Sequence, residues 1–300
     1  MVILVTGKNG QLGRCMQKSI EFDEKNDYFF FSHEELDISD ENNVAKIFEQ
    51  INPDFVINCA AYTNTRLAEK NYEESYEVNA RAVEILSKYC EMNKSYLIHI
   101  STESVFDGEK NIPYKETDKT NPLSVYSKTK QNGEEFALRY NKSIVIRVSW
   151  LYSEYCNNFY KTMLERIHSK IKTNVVSDQI GVPTYANDLS DFIVKKIINC
   201  ENINEKCGLY HFCNNGQASW YDFASAIESM KREFFDKNEI GRNVDNVYIL
   251  PTTTEEYADV IKRPKYSVLC VDKIEKNFNY TPEHWLSALI RCMTNDYKLK

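Results

Sequence analysis

The feature that most constrains this chain is the segment TGKNGQLG, residues 6–13, in which three glycines follow a GxxGxxG spacing. It comes directly after an apolar run at residues 2–5 and leads into residues 11–20, where Leu12, Met16 and Ile20 recur at helical spacing. Glycines allow a tight turn and let the backbone approach a pyrophosphate, which then sits at the positive end of the helix. A plain strand-to-helix turn is the alternative, but this placement favours a dinucleotide site.

The first half of the chain alternates short apolar runs with amphipathic stretches, which is the pattern of repeated β–α–β units. Strands are predicted at residues 2–5, 28–31, 55–58, 96–100 and 143–147. Helices are predicted at residues 11–20, 42–51, 75–92 and 127–139. The crowded aromatic residues of the second strand are better explained by a buried sheet than by a binding surface. These units predict an α/β fold with a Rossmann-type, doubly wound parallel sheet.

The second half of the chain has a more mixed pattern. Helices are predicted near residues 158–171, 187–198, 220–235 and 285–296, and short strands at 174–176, 209–212 and 247–250. We expect this half to form a smaller mixed α/β substrate lobe over the carboxyl edge of the sheet, where ligands of such sheets bind. The expected domains are therefore a Rossmann domain over residues 1–152, to which part of 180–215 returns, and a substrate lobe over 153–300.

Composition excludes several classes of protein. The net charge of −7 argues against a nucleic-acid partner, because a phosphate backbone requires a basic surface. No stretch approaches the roughly 20 apolar residues of a membrane span, and no basic segment precedes the first apolar run, so neither a membrane association nor a signal peptide is expected. Nine scattered cysteines without a CxxC pair indicate reduced thiols and a cytoplasmic protein. The five histidines show no metal-ligand spacing, so no metal is expected.

The type of dinucleotide depends on the end of the second strand. A Rossmann fingerprint usually has an acidic residue about 20 positions on, which binds the ribose 2′-hydroxyl. Here the strand ends at Ser32 and His33, and no carboxylate stands at its tip, although Glu34 and Glu35 are near enough to reach. The missing acid favours NADPH over NADH, which remains the alternative. Asp37 has two equal interpretations, an acceptor for the adenine amino group and the N-cap of the next helix.

Three residues form a pattern suited to ketone reduction. Thr102 follows a predicted strand, and Tyr126 opens a predicted helix with Lys130 four residues on, so the last two share a helix face. A phenol whose pKa is lowered by a neighbouring ammonium can supply a proton as hydride reaches the carbonyl carbon, and the Thr102 hydroxyl can polarise the carbonyl oxygen. Twenty tyrosines make a chance YxxxK common. The order of glycine turn, strand-end Ser-Thr and helix-opening YxxxK favours catalysis over surface packing.

These ordered motifs resemble the dTDP-4-dehydrorhamnose reductase family, nucleotide-sugar 4-ketoreductases of the extended short-chain dehydrogenase/reductase superfamily. The likeness runs through VTGKNGQLG, ELDISD, PDFVINCAAYT, HISTESVFDG and IPYKETDKTNPLSVYSKTKQNGE. It continues through IRVSWLY, NNFYKTML, VVSDQIGVPTYANDL, GLYHFCNNGQASWYDFA and RPKYSVL. The resemblance implies a Rossmann domain with a small substrate lobe. It also implies reduction, with NADPH or NADH, of the C4 ketone of a 4-keto-6-deoxy nucleotide sugar, first of all dTDP-4-dehydrorhamnose to dTDP-L-rhamnose for polysaccharide biosynthesis.

The resemblance also implies roles for individual residues, carried over by position. Thr102, Tyr126 and Lys130 match the family's catalytic residues. The cofactor-binding positions, which include Lys130, are Gly7, Gly10, Gln11, Leu12, Gly13, Asp37, Ile38, Ala60, Ala61 and Tyr62. The positions expected beside the sugar are Thr63, Thr65, Ser104 and Trp150. Taken alone, Trp150 would more often be a core residue than a ligand platform. Arg263 is a further candidate for a diphosphate contact, with a solvated surface residue as the alternative.

The chain departs from the family pattern beside the expected substrate. STDYVF of the family is STESVF at residues 101–106, so Ser104 replaces an aromatic residue. AYTAVDKAE is AYTNTRLAE at residues 61–69, which introduces Thr65 and Arg66. These departures lie outside the catalytic residues, so they concern the identity of the sugar and not the hydride transfer. Substrates linked to UDP or CDP are alternatives to the dTDP-linked sugar. A homodimer is common in the superfamily and is the expected assembly, although no sequence pattern identifies its interface.

Two other functions use the same fold. One is a non-catalytic NADP-binding regulatory subunit, and retention of both Tyr126 and Lys130 counts against it. The other is an epimerase or dehydratase, which also uses YxxxK but keeps its cofactor through the cycle. NAD that copurifies, without net NAD(P)H consumption, would indicate that class.

Overall fold

The computed structural model describes residues 1–21, 23–235 and 248–298. Its strands are β1 (Val2–Thr6), β2 (Asp27–Phe31), β3 (Phe55–Asn58), β4 (Tyr96–Thr102), β5 (Ser143–Val148), β6 (Leu151–Tyr152), β7 (Thr173–Val176), β8 (Ile180–Gly181), β9 (Thr184–Tyr185), β10 (Gly208–Phe212), β11 (Ala218–Ser219) and β12 (Ile249–Thr252). Its α-helices are α1 (Gln11–Ser19), α2 (Glu41–Ile51), α3 (Thr65–Ala68), α4 (Tyr72–Tyr76), α5 (Ala82–Asn93), α6 (Val125–Leu138), α7 (Phe159–His168), α8 (Ala186–Phe192), α9 (Trp220–Met230), α10 (Thr254–Tyr257), α11 (Asp272–Phe278) and α12 (Trp285–Lys298). Segments of 3₁₀-helix cover Glu103–Val105 and Ile203–Lys206. Segments of π-helix cover Glu77–Arg81, Ile193–Ile198 and Lys231–Phe235.

The central sheet is parallel throughout. Within the described ranges it contains six strands in the order β10-β5-β4-β3-β1-β2. The winding direction reverses between β1 and β3, which creates a crevice at the carboxyl edge of the sheet. Every residue of β3 and β5 is buried, because elements cover both faces of the sheet. The predicted α/β fold with a Rossmann-type sheet is confirmed.

Apolar cores lie on both faces of this sheet. On one face α1 and α8 pack through residues such as Met16 and Leu189. On the other face α2 and α5 pack through residues such as Phe48 and Leu86. A separate core, which includes Phe223 of α9, forms mainly among elements of the second half of the chain, together with Val105, Phe106 and Tyr114. Because both faces of the sheet are covered, a ligand can reach the strands at their carboxyl ends, where the candidate site lies.

Two elements that follow residue 152 pack with the Rossmann domain, as the proposed domain division requires. β10 pairs with β5 and so joins the central sheet, and α8 packs against α1, although both follow residue 152. This pairing supports our proposal that part of 180–215 belongs with the Rossmann domain of residues 1–152. The short pairs β7–β12 and β8–β11 lie outside the main sheet, in the substrate lobe that we propose for 153–300.

Some predicted elements need correction. β2 belongs to the sheet, but it is not a buried strand: it lies at the edge, and Phe29 is 39% exposed. The helix predicted at 75–92 is longer, because α4 and α5 are joined through a wide turn at Glu77–Arg81. The last predicted strand is observed as β12, and Val247, where it was expected to begin, lies outside the described residues.

Further features concern thiols, metals and membranes. All nine cysteines lie in the described ranges, and all are free thiols. The same ranges contain no group of histidine, cysteine and carboxylate side chains arranged to hold a metal ion. No helix in the described part of the chain is both long enough and apolar enough to cross a membrane.

Candidate active site

The glycine turn lies where β1 ends and α1 begins, next to the end of β3. Gly7 has a φ of +69°, and a Cβ there would lie 2.8 Å from the main-chain nitrogen of Ala60. A Cβ on Gly13 would overlap the main-chain oxygen of Gly7. No side chain caps α1 at Gly10, so the first N–H groups of this helix remain for a phosphate. The turn therefore fits the pyrophosphate of a dinucleotide.

Gln11 and Leu12, both predicted to bind the cofactor, use their side chains elsewhere. Leu12 is buried in the core under the sheet. The Gln11 amide donates to the main-chain oxygen of Leu151 at 3.1 Å and accepts from the Asn158 amide at 2.7 Å. The main-chain N–H groups of Gln11 and Leu12 are therefore what the helix end offers a phosphate, and the Gln11 side chain ties α1 to the segment after β5.

A carboxylate does reach the tip of β2, and it belongs to Glu35, one of the two acids that the sequence offered for this position. Glu35 accepts a 2.7 Å hydrogen bond from the main-chain N–H of Ser32, the residue that follows β2. The Lys8 ammonium, from the glycine turn, lies 3.3 Å from the same carboxylate. The turn at residues 32–36 brings Glu35 back to a position that strand length alone did not predict. The ribose end of the crevice therefore has an ion pair rather than no charge.

The structure also separates the two interpretations of Asp37. The N-cap of α2 is Asp40, whose carboxylate accepts from the N–H groups of Asn42 and Asn43. Asp37 instead accepts from the N–H and the hydroxyl of Ser39. The N-cap interpretation of Asp37 is therefore wrong, and its role toward adenine stays a prediction. Ile38 beside it is buried in the core.

The loop after β3 is held by hydrogen bonds at both ends. Ala60 donates its N–H to the Thr6 hydroxyl at 3.2 Å. Tyr62 donates its N–H to the Asn79 side chain at 2.9 Å and accepts from the same side chain at 3.0 Å. Ala61 lies between them and is partly exposed. This fixed backbone runs along the crevice next to the glycine turn.

Two of the three predicted catalytic side chains, those of Thr102 and Tyr126, come together, and Lys130 lies four residues after Tyr126 on the same helix. Thr102 is the last residue of β4, and Tyr126 and Lys130 lie in the first turns of α6. Ser124 caps α6 by accepting from the N–H of Ser127. Thr102 and Tyr126 line one cavity, and Lys130 donates to the main-chain oxygen of Ile100 at 2.7 Å. The strand end and the helix start thus place a hydroxyl and a phenol on the same wall.

The electrostatics of this group differ from the expectation. Burial raises the pKa of the Tyr126 phenol, and Glu103 adds to the shift, whereas the Thr102 hydroxyl opposes it. In the structure, burial therefore acts against the lowering expected from the neighbouring ammonium, and that lowering stays a prediction. Burial also lowers the pKa of Lys130 to about 8, with Glu134 opposing that shift. Tyr126 thus keeps its proton at neutral pH, as a proton donor must.

Two neighbouring cavities lie at this site, and the smaller one includes this wall. The smaller, of about 110 Å³, is lined by Thr65, Ser104 and Trp150 together with Thr102 and Tyr126. The larger, of about 730 Å³, carries four positive side chains and two carboxylates, of which Asp259 pairs with Arg66 and Arg263: Arg66, Arg166, Lys172, Arg263, Glu256 and Asp259. Gln179, Trp220 and Arg263 line both cavities. Thr63 is exposed and lines neither of them.

Trp150 forms an aromatic wall with a residue that sequence reasoning did not identify. Its ring stacks on Trp220 with centroids 3.7 Å apart and planes 10° apart. Gly181 of β8 packs against Trp150, where a Cβ would overlap the ring. Trp220 opens α9 after the Ser219 capping box. The capping box predicts a helix start, but the direction of the ring depends on tertiary packing.

Glu103 and Gln179 were also missed as cavity residues. The family motif has an aspartate at the position of Glu103, so the change there adds only one methylene. The loss of an aromatic ring at Ser104 is the larger departure from the motif. Gln179 belongs to a loop that pairs with residues 252–254 through Ser177 and Asp178. Arg263, considered a diphosphate contact, lies where both cavities meet.

Comparison with known proteins places the chain among reductases of this architecture. The family model described as the RmlD substrate binding domain matches residues 1–298. The dTDP-4-dehydrorhamnose reductase of Aggregatibacter actinomycetemcomitans is 39% identical over 292 residues, 96% of each chain. The solved structure of a dTDP-4-dehydrorhamnose reductase from Clostridium acetobutylicum has a TM-score of 0.89 at 35% identity, covering 98% of this chain and 99% of that one. The Bacillus anthracis dTDP-4-dehydrorhamnose reductase, solved in complex with NADP, has a TM-score of 0.89 at 33% identity and 98% coverage of both chains. The chain belongs to the dTDP-4-dehydrorhamnose reductase family.

Proposed function

We propose that this chain is an NADPH-dependent reductase that converts dTDP-4-dehydrorhamnose to dTDP-L-rhamnose by reducing its C4 ketone. The observation that carries the proposal is the placement of Thr102 and Tyr126 on one cavity wall, at the carboxyl edge of the sheet that also presents the glycine turn. The family relationship and the NADP-bound relative support the reaction and the cofactor. NADH remains the alternative reductant.

The residues present fit a bound dinucleotide. Gly7 and Gly13 leave room for close approach of a pyrophosphate to the backbone, and the start of α1 offers N–H groups to it. When bound, the reduced nicotinamide supplies the hydride. Lys130 is charged below about pH 8, so it can hold the ribose hydroxyls near Tyr126 at neutral pH. The loop from Ala60 to Tyr62 borders the same crevice.

Tyr126 is the proposed proton donor to the C4 oxygen. Its pKa is raised by burial, so the phenol is neutral and holds the proton that the developing alkoxide requires. Thr102 is proposed to donate a hydrogen bond to the same oxygen, which stabilises the negative charge in the transition state. Charge development during hydride arrival then draws the proton from Tyr126.

The two cavities can hold different parts of the nucleotide-sugar substrate. The smaller cavity, lined by Ser104, Thr65 and Trp150, is proposed to hold the sugar. Arg263 at the junction is proposed to meet the diphosphate, and the larger cavity with Arg166 and Lys172 the nucleoside. Thr63 is the one predicted sugar residue that this geometry does not support in its role.

The proposal is tested by NADPH consumption with dTDP-4-dehydrorhamnose generated in the cuvette and the product identified by mass. Oxidation matched by dTDP-rhamnose supports it. Absence of oxidation with intact NADPH binding overturns that substrate and directs the assay to UDP- and CDP-linked 4-keto sugars. Copurified NAD without net NAD(P)H consumption would instead indicate an epimerase or dehydratase.

Two further parts of the proposal concern the enzyme's setting. A cytoplasmic location is supported by the nine free thiols. The homodimer expected from the superfamily stays a prediction, which light scattering of the purified chain tests directly.

A further inference from the structure

Glu103 follows Thr102 directly and lines the small cavity, yet the reaction described above gives it no task. The Thr102 hydroxyl donates a 2.9 Å hydrogen bond to the Glu103 carboxylate. A hydroxyl has a single proton. When Thr102 donates to Glu103, it therefore has no proton left for the carbonyl oxygen of a substrate. The ionised form of Glu103 and the proposed role of Thr102 thus require opposite directions of the same 2.9 Å hydrogen bond.

We propose that Glu103 is a positioning residue that sets the direction of the Thr102 hydroxyl. As a neutral carboxylic acid, Glu103 donates to Thr102, and Thr102 then donates to the C4 oxygen of the substrate. As a carboxylate, Glu103 accepts the Thr102 proton and withdraws it from the substrate. No net proton passes along this pair, because the proton of the reduction still comes from Tyr126. The inference rests on the proposed reductase function.

The surroundings of Glu103 allow both forms near neutral pH. Burial raises the pKa of its carboxyl to about 7. The titratable and charged groups that face it are Tyr126 of α6, Cys213 after β10, and Lys262 and Arg263 of the segment after α10. Arg263 lowers the pKa of Glu103. A substrate diphosphate beside Arg263 offsets that positive charge and favours the neutral acid, which is the form that the proposal requires.

Neighbouring hydroxyls allow the reversal without a large movement. The Thr102 oxygen lies 2.9 Å from the Ser104 hydroxyl, which in turn accepts from Ser127 at 3.0 Å. Ser127 and Ser124 are 2.7 Å apart. Because each hydroxyl can donate and accept, rotation at Thr102 does not leave its neighbours unpaired. Ser104, which stands where the family has an aromatic residue, is thus part of this hydroxyl chain.

The test compares the pH dependence of kcat in the wild type with that of Glu103→Gln. The neutral acid is the active form, so wild-type kcat should fall as pH rises through about 7. The carboxamide donates at every pH, and its kcat should fall only near pH 8, where Lys130 loses its proton. The expected result is an alkaline limb moved up by about one pH unit. Glu109→Gln, at an exposed carboxylate six residues on, is the matched control and should not move it.

Two further measurements separate this inference from a structural role and from the function itself. In a Thr102→Val background, Glu103→Gln should no longer move the alkaline limb, because the hydroxyl is gone. The glutamate ¹³C carboxyl signal that disappears in Glu103→Gln should titrate near pH 7 and shift in Thr102→Val, whether or not a substrate is known. A wild type without turnover of any 4-keto sugar overturns the function alone. An unmoved limb, or a Glu103 signal that titrates near its ordinary value, overturns the role of Glu103.

Discussion

The ammonium of Lys130 donates a 2.7 Å hydrogen bond to the main-chain oxygen of Ile100. The bond joins α6, which carries Tyr126, to β4, which ends at Thr102. A second buried contact, from the Ser101 hydroxyl to a Glu134 carboxylate oxygen at 2.5 Å, joins the same two elements. The distance between phenol and hydroxyl is therefore set by strand–helix packing rather than by either side chain alone.

Replacing Tyr126 by Phe removes the proposed proton donor and leaves the ring in place. We expect kcat to fall by about 10²- to 10⁴-fold, the usual contribution of a positioned acid, with NADPH affinity nearly unchanged. Steady-state kinetics and a fluorescence titration with NADPH measure the two effects. Tyr72→Phe, at a tyrosine 44% exposed on α4, is the control. Full activity in Tyr126→Phe would show that another group supplies the proton.

Lys130→Met should change how stability depends on pH. Burial lowers the pKa of Lys130 from 10.5 to about 8, so between these values the unfolded chain binds one more proton than the native one. The free energy of unfolding of the wild type should therefore rise relative to Lys130→Met by about 1.4 kcal/mol per pH unit over this window. Urea unfolding at several pH values from 7.5 to about 9.5 measures the difference. Lys128→Met, at an exposed lysine of the same helix, should show no such slope. Parallel curves for wild type and Lys130→Met would mean that Lys130 titrates normally.

Glu35→Gln should increase the preference for NADPH over NADH. The Glu35 carboxylate stands at the tip of β2, paired with Lys8, where the fingerprint places the ribose 2′ position. Without the Glu35 carboxylate, the Lys8 ammonium can pair with the 2′-phosphate of NADPH. We therefore expect the ratio of kcat/KM with NADPH to kcat/KM with NADH to rise about two- to fivefold. Lys8→Met should shift the ratio the other way. Glu34→Gln is the neighbouring control, and equal ratios in all variants would place the 2′ group elsewhere.

Gly13→Ala should weaken dinucleotide binding strongly. The added methyl overlaps the main-chain oxygen of Gly7, so the turn must open. A misfitted methyl costs about 1–3 kcal/mol, which corresponds to a loss of roughly 10- to 100-fold in NADPH affinity. Gly10→Ala is the control, and it should weaken NADPH binding less. Its Cβ would lie 3.2 Å from the same oxygen, so the turn needs only a small shift. Equal affinity in the two variants would contradict the close approach of backbone and pyrophosphate.

Local patterns in the sequence predicted the elements of the sheet well. Short apolar runs identified β1, β3, β4, β5 and β10, because parallel strands covered on both faces are predominantly apolar. The exposed edge of β2 was not predicted, since its aromatic residues look the same whether a strand lies at the centre or at the edge. Strand order is a property of the whole sheet.

The sequence by itself determined the alternation of strands and helices, the glycine turn and the pairing of Tyr126 with Lys130 on one helix, because these depend on residues a few positions apart. Tertiary structure alone decided that Trp150 stacks on Trp220 and that Thr102 and Glu103 share a cavity wall with Tyr126. Burial, which raises the pKa of Tyr126 and lowers that of Lys130, likewise results from elements distant in the chain. The physical reason is the same in each case: the packing around a side chain fixes its direction and its charge, and that packing comes from the whole fold.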